Sequence, residues 1–123
     1  MKKNKFSKNW IIKQKRDIYV KKSKLEGYRS RAVYKLQEIN DKFKIIKNNI
    51  LVIDLGAAPG SWSQYISRNF SKSKIISIDL KDIEPITNLV HIKGDFTEEE
   101  QKKNIKNYFG KKVDLIVSDM AVN

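Results

Sequence analysis

Residues 50–62, with the sequence ILVIDLGAAPGSW, constrain the fold of this chain more than any other segment. An apolar run ends in Asp54 and passes into a short loop that contains Gly56 and Gly60. Glycine adopts positive φ angles and lets the backbone approach a ligand closely, while two alanines and a proline keep the loop small and stiff. The pattern predicts a buried strand that presents a binding loop ahead of a helix.

The loop differs from the dinucleotide-binding fingerprint, which reads G-x-G-x-x-G. It lacks the middle glycine, the position at which the backbone approaches a pyrophosphate. Asp54 also brings a negative charge to the end of the strand, where it repels an anionic group. The loop therefore disfavours an NAD(P)-dependent oxidoreductase and favours a cationic or zwitterionic nucleoside ligand.

Two further apolar runs also end in an acid. Asp79 follows the second run and lies 19 positions after Gly60, close to the spacing of about 20 at which a carboxylate binds ribose hydroxyls in such folds. Asp95 follows the third run and precedes Phe96, which together offer an acceptor and an aromatic face to an adenine ring. Because parallel strands end at one edge of a sheet, these acids are predicted to line one site with Asp54.

Helix and strand patterns alternate from residue 30 onward. The first helix is predicted from Ser30, as its N-cap, to Phe43. Its apolar face, formed by Ala32, Leu36, Ile39 and Phe43, is expected to pack on the sheet. The other predicted elements are strands at residues 50–55, 74–79, 89–94 and 113–118 and helices at residues 61–69 and 97–109. This order predicts a parallel sheet with right-handed crossovers, a Rossmann-like α/β fold.

The net charge of +12 is concentrated near the N-terminus. Residues 1–35 contain 13 Lys and Arg side chains and two acids, whereas the other 88 residues are nearly neutral. A lysine excess alone is also typical of a solubilising surface. Here, however, Trp10, Tyr19, Tyr28 and Tyr34 are interleaved with the charges, and Arg29 and Arg31 stand out in a chain that prefers lysine. Guanidinium groups bind phosphates and aromatic rings stack on bases, so residues 1–28 are predicted to be a basic RNA-binding arm.

Composition excludes several other classes of protein. The 123 residues contain no cysteine and a single histidine, His91, so neither a disulfide framework nor a metal centre is expected. No apolar run approaches the roughly 18 residues of a membrane span, and no apolar signal core is present. We therefore expect a cytoplasmic protein that has no metal and no membrane partner.

Four sequence motifs together carry a family resemblance. They are DLGAAPGSW at residues 54–62, YRSRAVYKL at residues 28–36, GDF at residues 94–96 and SDMAVN at residues 118–123. In this combination the chain, from about Trp10 to Asn123, resembles the FtsJ family of S-adenosylmethionine-dependent RNA ribose 2′-O-methyltransferases. The resemblance is greatest to bacterial members that modify a uridine of large-subunit ribosomal RNA.

The resemblance implies roles for individual residues. It implies a cradle for S-adenosylmethionine at Asp54, Gly56, Gly60, Trp62, Asp79, Asp95, Phe96 and Asp119. It also implies that Lys35 and Asp119 are the first two members of the family's Lys-Asp-Lys-Glu catalytic tetrad. Arg29, Arg31 and Lys35 are then expected to bind the RNA, and ribosomal RNA or the large ribosomal subunit is the expected partner.

Two departures from the family pattern lead to a further expectation. The second lysine and the glutamate of the tetrad belong to a later part of the family's fold, and Val122 replaces the usual proline of the last motif. Residues 29–123 are therefore expected to be the N-terminal half of a methyltransferase domain whose C-terminal part is missing. This half is expected to be inactive alone. The alternative is a non-catalytic RNA-binding module that retains the cofactor-site residues. Base methyltransferases with a P-P-Y-like loop are disfavoured by residues 119–123.

Overall fold

The computed structural model describes residues 5–95 and 112–119. In chain order the elements are α1 (Lys5–Glu26), α2 (Val33–Phe43), β1 (Leu51–Leu55), α3 (Ser61–Asn69), β2 (Lys74–Asp79), β3 (Leu89–Lys93) and β4 (Leu115–Ser118). The helix predicted at residues 97–109 and the side chain of Phe96 lie outside the described residues. Within those residues the predicted alternation of strands and helices is confirmed.

The four strands form one parallel sheet in the order β3-β2-β1-β4. β1 lies inside the sheet because its apolar run is covered on both faces, as parallel strands require. In register, Leu55 pairs with Ile78 of β2 and with Ser118 of β4. The carboxyl ends of β1, β2 and β4 therefore meet at the same edge, and the predicted Rossmann-like α/β architecture is confirmed.

Side chains alternate between the two faces of β1, and each face has its own core. On one face Val52 packs with Ile75 of β2 and Val117 of β4 under helices α2 and α3. These helices contribute Val33, Tyr34, Leu36, Trp62, Tyr65 and Ile66 to this core. On the other face Leu51 and Ile53 pack with Ile76 and Ile78. The first core fixes α2 and α3 above the sheet edge that carries the acids.

The start and the buried face of α2 differ from the prediction. Ser30 is not the N-cap, because the helix begins at Val33 with Ala32 as its cap, and the Ser30 hydroxyl lies 2.8 Å from the Ser61 hydroxyl instead. Leu36 is buried as predicted, but Phe43 is 62% exposed. The buried face is completed by Val33 and Asn40.

The reason for this difference lies at the end of the helix. The side-chain oxygen of Asn40 accepts a hydrogen bond of 2.8 Å from the Ile46 backbone N–H. Lys44 then adopts a left-handed conformation and ends the helix. A polar residue is thus buried because it holds the chain as it leaves α2, and the apolar pattern alone gives no sign of that contact.

The basic arm forms the 22-residue helix α1. The helix ends in a Schellman motif, in which Gly27 has a φ of 75° and the Tyr28 N–H donates to the Ser23 carbonyl over 2.8 Å. Of its described side chains only Ser23 is buried, so most of α1 projects from the sheet. The surface of α1 is rich in lysine and too polar to cross a bilayer. None of the other described helices is long and apolar enough to do so.

Arg68 of α3 helps to attach the end of α1 to the rest of the fold. The Arg68 guanidinium donates to the carbonyls of Glu26 and Gly27 over 2.8 and 2.7 Å. It also lies 4.4 Å from the centre of the Tyr28 ring. These carbonyls belong to the last turn of a helix, where a cation is favoured by the helix dipole.

Arg68→Met is expected to loosen α1, because methionine retains an apolar stem but donates no hydrogen bond. The site is exposed, so we expect a loss of only about 1 kcal/mol in the free energy of unfolding, measured by urea denaturation. Limited trypsin digestion should cleave α1 faster than in the wild-type chain. Arg16→Met, on the exposed part of α1, serves as the control. Equal digestion rates for the Arg68 variant and the wild type would rule out this attachment.

Candidate active site

The glycine loop after β1 has the backbone geometry that its sequence predicts. Gly56 and Gly60 have φ angles of 66° and 108°. At Gly60 a Cβ atom would lie 2.9 Å from the Arg29 side chain and 3.3 Å from that of Ile86. Position 60 therefore favours glycine because of its positive φ, and a side chain there would also displace the end of the Arg29 side chain.

Asp79 fastens this loop to the end of β2. Its Oδ2 atom accepts a hydrogen bond of 2.9 Å from the Ala58 N–H, and its Oδ1 atom accepts one of 2.9 Å from the Lys81 N–H. Each carboxylate oxygen has a second lone pair that is available for a ligand. Asp79 thus lies beside the glycine loop, as its spacing predicts, and its role towards a ribose stays a prediction.

Asp54 is buried at the end of β1, with 2% of its surface exposed. Its Oδ2 atom accepts a hydrogen bond of 2.7 Å from the Ser63 hydroxyl in the first turn of α3. The pKa of Asp54 is raised to about 6, mainly by burial; hydrogen bonds from Ser63 oppose the rise, and the charges of Asp119 and Asp79 add to it. Asp54 therefore supports the loop from below and lies in a field made negative by the other two acids.

The two predicted catalytic residues are brought together from opposite ends of the sequence. Lys35 Nζ lies 3.2 Å from Asp119 Oδ1, across 84 positions of the chain. Asp119 follows β4 at the carboxyl edge of the sheet, and Lys35 extends from the exposed side of α2. Both line a cavity of about 530 Å³, together with Arg31. Lys35 thus meets Asp119 at the edge of the sheet, and the catalytic roles of both residues stay predictions.

The two arginines that were expected to bind RNA occupy different environments. Arg29 donates from Nη1 to the Pro59 carbonyl over 3.0 Å and from Nη2 to the Pro85 carbonyl over 3.2 Å. It therefore joins the glycine loop to the segment between β2 and β3. Arg31 is exposed and lines the cavity beside Lys35. Arg31 is thus better placed for a phosphate, and an RNA contact by Arg29 stays a prediction.

The remaining predicted cofactor residues lie around the same edge. Trp62 is buried, and its indole N–H donates to the Ala32 carbonyl over 2.7 Å. It also lines a cavity of about 40 Å³ beneath the glycine loop, next to Asp54 and Asp119. Asp95 follows β3 at the carboxyl edge and is half-buried. Phe96 is the one predicted cofactor residue outside the described part of the chain.

Three polar residues of α3 also organise the site, and the sequence analysis did not identify them. The Gln64 side chain accepts a hydrogen bond from the Arg29 backbone N–H over 2.8 Å and donates to the Gly27 carbonyl over 3.4 Å. Ser61 contacts Ser30, and Arg68 holds the end of α1. Ser61, Gln64 and Arg68 are spaced three and four residues apart, so they share one face of the helix. This spacing of polar residues is visible in the sequence, and it indicates that the segment before α2 packs on this face of α3.

The edge of the sheet therefore combines a tight glycine loop, a cluster of carboxylates and a lysine in an ion pair. Glycines expose backbone to a ligand, and carboxylates accept hydrogen bonds from hydroxyls or attract a cationic group. Arg31 and Lys35 next to this cluster suit a phosphate. The arrangement suits a cationic nucleoside on one side and a nucleic acid on the other.

Comparisons with known proteins agree with this chemistry. The family model for FtsJ-like methyltransferases matches residues 28–123. Proteins named ribosomal RNA large subunit methyltransferase E are 63% identical in Pelagibacter ubique and 47% identical in Janthinobacterium sp.. Each alignment covers 100% of this chain and 61% of the relative, so the chain spans about three fifths of these proteins.

A solved structure shows the same fold. A crystal structure described as a ribosomal RNA methyltransferase from Plasmodium falciparum superposes with a TM-score of 0.70 at 40% identity. The match covers 78% of this chain and 58% of that chain.

Asp54→Asn is expected to change the pH dependence of stability. Because the folded-state pKa is about 6, above the ordinary value of 3.8, the stability linked to Asp54 is present below about pH 4 and lost as pH rises through about 6. Asparagine still accepts the Ser63 hydrogen bond without ionising. The free energy of unfolding of the variant should exceed that of the wild type by about 2–3 kcal/mol at about pH 7.5. Near pH 4 the two should be equal.

Urea denaturation at the two pH values measures this difference. Asp17→Asn, which removes the same charge from the exposed surface of α1, is the control. A gain of equal size at both pH values would show that the ionisation of Asp54 is not its cause.

Proposed function

Since the chain belongs to the family of FtsJ-like methyltransferases, we propose that it provides the cofactor site and part of the catalytic site of an enzyme that methylates a ribose 2′-hydroxyl in ribosomal RNA. The target is a uridine of the large-subunit RNA, and the reaction takes place in the cytoplasm. The single observation that carries the proposal is the contact of 3.2 Å between Lys35 and Asp119 beside the glycine loop. This contact brings together the two residues that match tetrad positions, at a place that both a cofactor and an RNA can reach.

S-adenosylmethionine fits the chemistry of this edge, and when bound it supplies a methyl group on a positively charged sulfur. Burial is the main cause of the raised pKa of Asp54, and the negative charges of Asp119 and Asp79 add to it; negative charges at this edge attract a cation. Gly56 and Gly60 leave the loop backbone accessible. The cavity of about 40 Å³ under the loop is far smaller than the ~300 Å³ of a typical ligand site. A nucleoside would therefore need the open edge of the sheet, where Asp79 and the glycine loop would hold it.

We assign individual roles to the residues along this edge. Asp79 accepts the ribose hydroxyls through its remaining lone pairs, and Asp95 accepts from the adenine edge, with Phe96 offering a ring face. Asp54 and Trp62 fix the helices next to the loop, Asp54 through Ser63 of α3 and Trp62 through Ala32 at the start of α2. Asp119, at the end of β4, offsets the positive charge of the methyl donor.

The residues of this chain orient the acceptor hydroxyl rather than complete the reaction. A ribose hydroxyl is a weak nucleophile at neutral pH, so it must lie within roughly 3–3.5 Å of the methyl group and lose its proton as the new bond forms. Lys35 attracts the adjacent phosphate, and Asp119 fixes the position of Lys35 through their ion pair.

Helix α1 binds the RNA before this step. From Lys5 to Glu26 it carries eight Lys and Arg side chains and two acids. Most of its described surface is exposed, so these charges face solvent and are available to a polyanion. Attraction to phosphates depends on charge and not on base sequence.

A non-catalytic RNA-binding module is the second candidate function. The observation that favours it is the charge of α1, whose eight Lys and Arg side chains can bind phosphates without a catalytic site. On this alternative the cofactor-site residues are retained without turnover, and RNA binding is the whole function.

We expect no methyl transfer to large ribosomal subunits by the 123-residue chain alone. General-base assistance typically contributes 10²–10⁴-fold in rate, and the positioning of the substrate would also be incomplete. Activity should appear when a C-terminal segment from a complete relative is added. Transfer of a radiolabelled methyl group to undermethylated subunits measures both.

The variant Asp119→Ala should abolish the restored activity, and Asp17→Ala on α1 should preserve it. Methylation by the chain alone that is lost in Asp119→Ala would show that a smaller catalytic set suffices. If the mixture binds RNA but does not methylate it, the binding-module function is favoured.

Binding to a ribosomal RNA fragment should weaken steeply with salt. Counterion release lowers log K by about 0.7 per unit of log salt for each phosphate contacted on single strands. Lys13→Gln and Lys21→Gln, both on the exposed surface of α1, should each lower that slope by about 0.7. The control is Lys47→Gln, which lies far along the chain from α1. An affinity that does not change between about 50 and 200 mM salt would rule out phosphate binding by α1.

A further inference from the structure

A groove runs between α1 and α2 and contains two adjoining cavities. The first, of about 530 Å³, is lined by Arg31, Lys35 and Asp119 among others. The second, of about 490 Å³, lies on the side of Lys22, Asp41 and Lys42. Tyr19, Tyr34 and Glu38 line both cavities, so they mark the point at which the two meet. We refer to the two cavities together as the helix groove.

Tyr19 is the one tyrosine of the groove that keeps a large exposed surface. Its ring centre lies 5.4 Å from that of Tyr34, with an angle of 30° between the ring planes. Tyr34 is only 8% exposed, whereas Tyr19 is 44% exposed. Tyr28 packs edge-on against Tyr34 at 6.3 Å from the other side of the cluster. Tyr34 and Tyr28 thus form a support that holds the Tyr19 ring in place.

Charged groups lie on both sides of the Tyr19 ring. Arg31 and Lys35 line the cavity that reaches Asp119, and Lys22 lies 4.7 Å from the centre of the Tyr34 ring. These cations suit the phosphates of one strand as it follows the groove. Glu38 lies between the two cavities, where its carboxylate can accept a hydrogen bond from the polar edge of a base. A basic groove with a supported aromatic ring is a common arrangement for binding single-stranded nucleic acid.

We propose that the Tyr19 ring stacks on the base of an unpaired nucleotide in the acceptor RNA, and that the strand then runs through the helix groove to present a ribose at Lys35 and Asp119. This assignment rests on the proposed function and names the form of its substrate. A base inside a duplex has both faces covered by its neighbours and offers none to Tyr19. The site therefore takes a single-stranded or extruded nucleotide. The first cavity, of about 530 Å³, has a volume within the range of ~300–1,000 Å³ that is typical of ligand sites.

The test compares two RNA probes with the full 123-residue chain at one fixed salt concentration. The probes are a short single-stranded oligouridylate and an oligonucleotide of the same length in which every base is replaced by hydrogen. Fluorescence anisotropy gives the affinity for each. The Tyr19→Ala variant should bind oligouridylate about 5- to 150-fold more weakly than the wild type and should bind the abasic strand equally well. Tyr19→Phe should retain the wild-type affinity for both.

Phe43→Ala is the matched control, because Phe43 is an exposed aromatic with Lys42 at 5.3 Å from its ring centre and lines neither cavity. It should bind both probes as the wild type does. The abasic strand also reports folding, since a misfolded variant would lose affinity for both probes. In that case Tyr19→Leu, which keeps an apolar contact on Tyr34, takes the place of Tyr19→Ala.

The outcomes separate this inference from the proposed function. If the wild type binds neither probe, RNA binding by the chain is wrong and both proposals fail. If it binds both probes equally, or if Tyr19→Ala loses no affinity for oligouridylate, phosphate binding stands and the stacking role of Tyr19 is overturned.

Discussion

The parallel pairing of β1 with both β2 and β4 is the constraint on which the site depends. Leu55 is in register with Ile78 on one side and with Ser118 on the other. As a result, Asp54, Asp79 and Asp119 lie at the carboxyl ends of their strands, at one edge of the sheet, although they are far apart in the sequence. Their mutual repulsion is the consequence of that register, and it contributes to the raised pKa of Asp54. The sheet tolerates this repulsion because apolar side chains fill both of its faces.

Helix α3 connects the sheet to the segment that precedes α2. Its apolar side, with Trp62 and Ile66, packs on β1 and β2, and its polar side holds the backbone of residues 27–30. The same helix therefore contacts the glycine loop at its start and the end of α1 near its own end. The glycine loop and α1 are both attached to this one rigid helix, which keeps the loop and the basic surface of α1 aligned.

Sequence reasoning predicted the elements that depend on local pattern and missed contacts between distant polar groups. The apolar runs of β1 and β2, the glycines of the loop and the bounds of α3 follow from burial and backbone conformation, which neighbouring residues determine. The proximity of Lys35 to Asp119 could be expected from the family motifs, because the resemblance assigns both residues to one tetrad. The cap role given to Ser30 was wrong because its hydroxyl contacts Ser61, and the face that included Phe43 was wrong because Asn40 holds Ile46. Both errors arise from tertiary contacts that no periodicity reveals.

The double contact of Arg29 has a consequence for the choice of residue at this position. A guanidinium is a planar fork with two terminal nitrogens, and here one donates to the Pro59 carbonyl and the other to the Pro85 carbonyl. A lysine has a single terminal nitrogen, so it cannot reproduce this planar bridge between two carbonyls. With lysine at position 29 the glycine loop and the segment between β2 and β3 would lose their common brace. In a chain so rich in lysine, this arginine links two loops through the fixed separation of its own nitrogen atoms.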